Sequence, residues 1–248
     1  MARIDMNDLH TELERDGFLI LGGFDFNPDE DWGDPGEDGE AKGGEGGSLI
    51  LVGNAGGAMW AAFRASPEAR DGNPDPLDRY TRRCITIVAD AFGLKVVFPF
   101  ERPFRPFQQW AMRAGGFSPS PLGVLAHRRF GPWAGFRAAL VGEKPLDAYA
   151  AGVSFGSEDN DAAWEDEKAG PCPACVEKPC MAACPAKALT PQGYDVPRCL
   201  SYLEANPDTS CLSGCLARVA CPHGAAWRQG AEQARFHMRA FTGGNIGT

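Results

Sequence analysis

The chain has no apolar run of membrane-spanning length, so a helical membrane protein is excluded. Its opening residues, MARIDMNDLHTELERDG, lack the apolar core and small-residue cleavage site of a secretory leader. We therefore expect a cytoplasmic protein, in a compartment where thiols stay reduced. A G-x-G-x-x-G fingerprint is missing as well, which leaves a dinucleotide assignment without support. Only one C-x2-C pair occurs, whereas zinc knuckles use two. No repeat unit is present apart from two cysteine runs.

Cysteine itself is plentiful: nine residues in 248. The first run, C-P-A-C-V-E-K-P-C-M-A-A-C-P, supplies Cys172, Cys175, Cys180 and Cys184. Cys199 stands alone. A second run, C-L-S-G-C-L-A-R-V-A-C-P, supplies Cys211, Cys215 and Cys221. Eight thiolates are the ligand set of two cubane iron–sulfur clusters at four each. In two-cluster ferredoxins the fourth cysteine of a run, the one before proline, crosses to the other cluster. The same logic assigns Cys172, Cys175, Cys180 and Cys221 to one [4Fe–4S] cluster. Cys184, Cys199, Cys211 and Cys215 go to the other. The spacing departs from the bacterial ferredoxin pattern, with two extra residues within 176–179 and a stretched second run. Zinc and disulfides are the competing readings, and a disulfide framework would need a secretory setting. Cys84, the ninth, sits on an apolar helix face and reads as a small buried hydrophobe.

The remaining sequence suits one medium domain and one small module. Residues 1–168 are long enough to bury their own core. The module at 169–248 is rich in cysteine and poor in large aliphatic residues, so metal must hold it. Helix-like periods fall at 7–15, 58–65, 75–93 and 107–114. Strand-like runs fall at 17–22, 48–53, 94–98, 122–127 and 133–141, the last two expected as a hairpin joined by R-R-F-G-P. Strands alternating with helices predict an α+β layered domain. In the long helix opened by Asp75 and Pro76, Leu77, Tyr80, Cys84, Ile87, Val88 and Ala91 are expected on one face. A Gly- and Asp-rich linker spans 152–168.

Charge is unevenly spread. A loop at 25–47 carries nine acids against Lys42, which accounts for nearly all of the net −9. It is expected to be a solvated loop, or a lid or docking patch for a basic redox partner. The stretch 79–137 holds ten bases against Asp90 and Glu101, which suggests a local anion site. Because the overall balance is acidic, nucleic acid is not expected as a partner.

Two further segments invite a cofactor. Gly53-Asn-Ala-Gly-Gly lies between a strand and a helix, where Asn54, Gly56 and Gly57 could let a ligand approach the backbone. The segment from His127 through Arg137 concentrates imidazole, guanidinium and aromatic rings. His127 and Arg137 are candidate polar contacts there, and Phe130 and Trp133 candidate ring walls. The bland alternatives are close packing at the glycines and an ordinary surface turn with packing aromatics.

These residues carry two resemblances. HRRFGPWAGFRAAL, together with Asn73-Pro-Asp-Pro-Leu-Asp, resembles the CblC-type cobalamin-processing proteins, over about residues 48–141. That likeness implies a nitroreductase-like domain able to hold a corrin ring. Residues 172–222, and above all Pro197-Arg-Cys-Leu-Ser-Tyr-Leu, resemble the epoxyqueuosine reductases, with Cys199 at a ligand position. Their relatives, the reductive dehalogenases, share a corrin domain followed by two [4Fe–4S] clusters. The catalytic acidic motif of the reductases, their Gly-Trp-x-Gly segment and their C-terminal helical repeats have no counterpart here. tRNA is accordingly not expected as substrate. The resemblances imply an iron–sulfur oxidoreductase that passes electrons from the clusters to cobalamin or FMN in the first domain, reducing or dealkylating a corrinoid. A redox partner protein or a small-molecule reductant would supply the electrons. An electron-transfer protein without a second cofactor and an iron–sulfur redox sensor are the alternatives.

Overall fold

The computed structural model describes residues 5–27, 46–143, 145 and 169–243. Most of the acidic loop and the whole 152–168 linker lie outside these residues. The fold is mixed α+β, with eight α-helices and a four-stranded antiparallel sheet among the described residues. Packing divides the chain into two compact units. The first comprises Met1–Asn54, Ala58–Gly115 and Gly135–Glu167. The second comprises Ala55–Gly57, Gly116–Ala134 and Lys168–Thr248, so it includes segments well before residue 169.

In the first unit, Asp5 caps α1 (Met6–Arg15) by accepting the Asn7 N–H at 2.8 Å. The sheet runs β1 (Leu19–Phe26), β2 (Gly47–Asn54), β6 (Gly135–Gly142), β3 (Lys95–Val97). Every residue of β2 is buried, and Leu49, Ile50, Leu51 and Val52 have no exposed surface. An unbroken apolar run is what a strand covered on both faces requires. Each such side chain contributes roughly 1.5–3 kcal/mol on burial. Helices α2 (Ala58–Ala65), α3 (Pro76–Phe92) and α4 (Phe107–Ala114) complete the unit. Phe63 and Tyr80 pack edge to face at 5.7 Å, and Phe18 stacks on Tyr80 at 5.9 Å.

The buried stripe of α3 is Leu77, Tyr80, Thr81, Cys84, Ile85, Val88 and Ala89. Ile87 is 61% exposed and Ala91 is exposed, a correction to the expected face. Thr81, Ile85 and Ala89 turn the buried face the other way, which leaves Ile87 at its edge, and Ala91 lies in the last turn before Gly93. Asp75 adopts φ +50° and makes no side-chain cap, so Pro76 rather than a capping bond starts this helix. Cys84 is buried, which pushes its thiol up to about 12.

The second unit holds two small sheets, β4 (Phe117–Pro119) with β5 (Leu125–His127) and β7 (Leu189–Thr190) with β8 (Gly193–Tyr194). The expected hairpin between 122–127 and 133–141 does not form. β5 pairs with β4, and β6 joins the large sheet. The turn begins as expected, since His127 and Gly131 exchange both backbone bonds at 2.8 and 2.7 Å. The next rung would need the Trp133 N–H, which instead donates to the Phe130 carbonyl at 3.1 Å. Helices α5 (Pro179–Ala182), α6 (Val196–Ala205), α7 (Leu216–Val219) and α8 (Ala231–Phe241) complete this unit, with 3₁₀ turns at Ser210–Ser213 and Ala225–Trp227. No helix among the described residues is long and apolar enough to cross a membrane.

Candidate metal centre

The eight late cysteines are free thiols that gather in two fours, all in the second unit. Cys172, Cys175, Cys180 and Cys221 line one pocket, with Ser120, Lys178 and His223 beside them. Their charges act on one another: Cys221 and Cys180 on Cys172, Cys175 on Cys180, and both Cys180 and Cys175 on Cys221. Burial is the main cause that raises these three thiols, and neighbouring thiolates push the same way.

The second four are linked by their mutual charge effects. Cys184 and Cys211 act on Cys199, Cys211 and Cys199 act on Cys215, and Tyr194 feels Cys199, Cys215 and Cys184. Burial again leads the upward shift at Cys199 and Cys215. The core here is small and sulfur-rich, with Cys180, Leu189 and Ala217 buried and Met181, Cys184, Tyr194 and Cys215 packed against them.

Local structure explains how distant cysteines meet. The Cys172 N–H donates to Ser118 Oγ at 3.1 Å, which anchors the first run on β4. Cys199 lies in the first turn of α6, where Pro197 follows the start and Asp195 accepts the Arg198 N–H at 3.0 Å. Beyond Cys221-Pro222, Gly224 (φ +67°) packs its backbone on the Phe130 carbonyl, and Gly131 (φ +56°) packs on the His223 carbonyl. A Cβ at either position would collide with backbone. This close approach fastens the 127–131 turn to the last cysteine, a pairing that periodicity could not reveal.

The extra residues of the first run have a defined place. Lys178 (φ +41°) points its ammonium back into the loop and donates to the carbonyls of Cys172 and Cys175 at 3.0 and 3.2 Å. At the second four, the Ala188 N–H donates to Cys184 Sγ at 3.4 Å, and the Tyr194 hydroxyl bonds to Cys199. Arg218 donates Nε and Nη2 to the Pro132 carbonyl at 2.9 and 2.6 Å and covers the Trp133 ring at 4.7 Å. Its charge also interacts with Cys215.

The cofactor candidates fall into two sets. Asn54 and Arg137, in the first unit, meet directly: Arg137 Nε donates to Asn54 Oδ1 at 2.8 Å. Burial lowers Arg137 to about 10, and the Asp78 charge opposes that shift. Gly56, Gly57, His127, Phe130 and Trp133 belong to the second unit. Gly56 (φ +66°) lies against the Trp227 ring, whereas Gly57 faces open space. His127 is buried, and its Nδ1 accepts the Arg129 and Phe130 N–H groups at 3.2 and 3.3 Å. Burial first, then Arg128 and Arg129, lower it to about 3, so it is a neutral turn-former. Phe130 is buried, stacked on His127 at 4.7 Å, under Arg129 at 5.3 Å and edge-on to Trp227 at 4.9 Å. Phe130 and Trp133 are therefore engaged by protein rings and guanidinium groups. They do not fit the expected role of free walls for a planar cofactor.

The basic stretch likewise does not act as one patch. Arg79 forms a two-armed pair with Asp71 at 2.7 Å, Arg82 meets Glu101 at 2.9 Å, and Arg83 grips Glu68. These three guanidiniums are matched locally, so the count of bases overstates the charge left for an anion.

No protein-family model and no curated protein matches the chain. Two solved structures are similar at low identity. One is an epoxyqueuosine reductase with a tRNA-Tyr epoxyqueuosine-modified stem loop: 14% identity, 91% of this chain, 66% of that chain, TM-score 0.47. The other is a selenomethionine-labelled epoxyqueuosine reductase: 15% identity, 76% of this chain, 52% of that chain, TM-score 0.42. The chain thus spans just under two thirds and about half of their lengths. The exclusion of nucleic acid is corrected by the first of these, whose partner is a tRNA stem loop. Net charge was a poor ground for that exclusion. The negative excess lies almost wholly at 25–45, and the remaining sequence is nearly neutral.

Proposed function

We propose that the chain is an iron–sulfur oxidoreductase whose second unit holds two [4Fe–4S] clusters. Cys172, Cys175, Cys180 and Cys221 would bind one, and Cys184, Cys199, Cys211 and Cys215 the other. The observation that carries this reading is the gathering of eight free thiols into two fours, each drawn from both cysteine runs. All-thiolate donor sets suit iron–sulfur clusters. When bound, the clusters supply one-electron exchange at a potential set by hydrogen bonds and exposure. The protein's part is to bury the thiols, fix their spacing and surround the sulfur with N–H and O–H donors.

Anaerobic reconstitution with iron and sulfide tests the proposal. The full chain should take up about eight irons and eight sulfides. Cys221→Ser should take up about half as much iron, whereas Cys84→Ser should keep it all. One or two zinc ions per chain and no sulfide would overturn the reading.

A corrinoid or FMN in the first unit is the finer proposal, and it rests on Asn54 and Arg137. A half-buried guanidinium held by its Nε keeps other N–H groups for a carboxamide or phosphate oxygen. Titration of the anaerobic protein with hydroxocobalamin, then with FMN, should give a saturable spectral change for one of them, weakened at least tenfold by Arg137→Ala. Absence of any change with both would remove the second cofactor and leave an electron-transfer protein or a redox sensor.

A further inference from the structure

Helix α8 carries alanines, aromatic rings and a methionine, yet its one buried residue is Gln233, with no exposed surface. Neither Oε1 nor Nε2 of Gln233 has a hydrogen-bond partner among the described residues. A buried amide left without partners costs about 1–3 kcal/mol per group. A leucine at this position would avoid that cost, so the amide calls for a partner.

The surroundings of α8 point to one. The helix packs on the 3₁₀ turn Ser210–Ser213, which carries Cys211 and leads into Cys215. A Cβ built on Gly214 would sit 3.3 Å from the Ala234 Cβ, one residue from Gln233. At the other end of the helix, Phe241 stacks on Tyr194 at 6.5 Å, and the Tyr194 hydroxyl bonds to Cys199. Gln233 and Phe241 are eight residues apart and share a helix face. That face therefore borders residues that hold the second four of thiols.

We infer that Gln233 Nε2 hydrogen-bonds a sulfur of the iron–sulfur cluster held by Cys184, Cys199, Cys211 and Cys215, and raises its reduction potential. This rests on the two-cluster reading above. Reduction adds negative charge to the cluster, and an N–H donor stabilises the more negative form. The Ala188 N–H on Cys184, the Tyr194 hydroxyl on Cys199 and the Arg218 charge near Cys215 act in the same sense. Gln233 is a positioning and tuning residue, not a ligand.

The test is a potentiometric titration followed by electron paramagnetic resonance. It uses the anaerobically reconstituted full chain and its Gln233→Leu and Gln233→Glu variants. Iron and sulfide content is measured first, and a wild-type value near zero defeats the two-cluster reading itself. With content intact, Gln233→Leu should lower one midpoint by about a tenfold loss in electron affinity, which is about 59 mV for one electron. The other midpoint should stay in place. Gln233→Glu should lower the same midpoint further, by adding a negative charge. Should Gln233→Leu fail to take up iron, Gln233→Met, of similar length and without a donor, carries the same measurement. Unmoved midpoints in the donor-less variants would overturn the inference.

Discussion

In the first unit, Leu49, Ile50, Leu51 and Val52 lie fully buried in succession on β2, and Ala138, Ala139 and Leu140 of β6 are equally covered. In the second, the buried set is sparse in aliphatic side chains, and Cys180, Cys211 and Cys221 stand among Leu189, Leu203 and Ala217. The first unit can fold on apolar burial. The second brings together thiols that repel one another once ionised, and only bound metal turns that repulsion into cohesion. The difference predicts where each unit is vulnerable: the first to cavities and, on the proposed function, the second to loss of metal.

Removing metal should break this symmetry most completely. Iron chelation of the reconstituted protein should abolish amide protection in 169–243 while β1, β2 and β6 keep theirs, as read by hydrogen exchange. Equal loss in both units would mean that they do not differ in what holds them. The converse experiment is a core truncation. Leu51→Ala or Leu140→Ala should cost about 2–5 kcal/mol of stability in denaturant melts. Iron uptake should be unaffected in either variant. Lost iron in these variants would show that the second unit depends on the first unit's core.

A smaller effect separates the units by pH. His127 titrates at about 3 in the folded second unit, below its ordinary 6.5, chiefly because it is buried. A lowered folded value means that the unfolded chain binds the proton more tightly. Stability from the neutral ring is therefore complete above pH 6.5 and is lost progressively as pH falls toward 3, on the order of 4 kcal/mol over the whole span. The slope should already be visible between pH 6.5 and 5, before carboxylates titrate. His127→Asn, which keeps an acceptor for the Arg129 and Phe130 N–H groups without a titrating ring, should flatten it. A variant with the wild-type slope would remove His127 from the account.

The sequence made the local features legible where one physical signal dominated. The period of 107–114 matches α4 and the apolar run matches β2. Tertiary choices were not legible. The Trp133 N–H turns inward to Phe130 and ends a hairpin that alternation alone suggested. The Gly131 and Gly224 backbones meet across more than ninety residues, and no local pattern encodes such a pair. Nothing local in the sequence marks Gln233 for burial, because a buried polar side chain makes sense only beside the group that satisfies it. The ring faces of Phe130 and Trp133 looked available in sequence and are covered by Arg129 and Arg218.

The gentlest probe sits at the edge of the first unit. Glu68 is held down to about 2, first by the hydrogen bonds of the Arg83 guanidinium, with burial opposing them. Its carboxylate is mostly covered, while Arg83 is 46% exposed, so solvent screens much of the attraction. A lowered folded value places this contribution above pH 4.5 and removes it as pH falls toward 2. Glu68→Gln should therefore cost only about 1 kcal/mol at pH 7, less at high salt, and almost nothing at pH 2. The loss should be confined to the first unit's melting transition. A cost of several kcal/mol would show that this pair, and not β2 and its neighbours, supports the apolar unit.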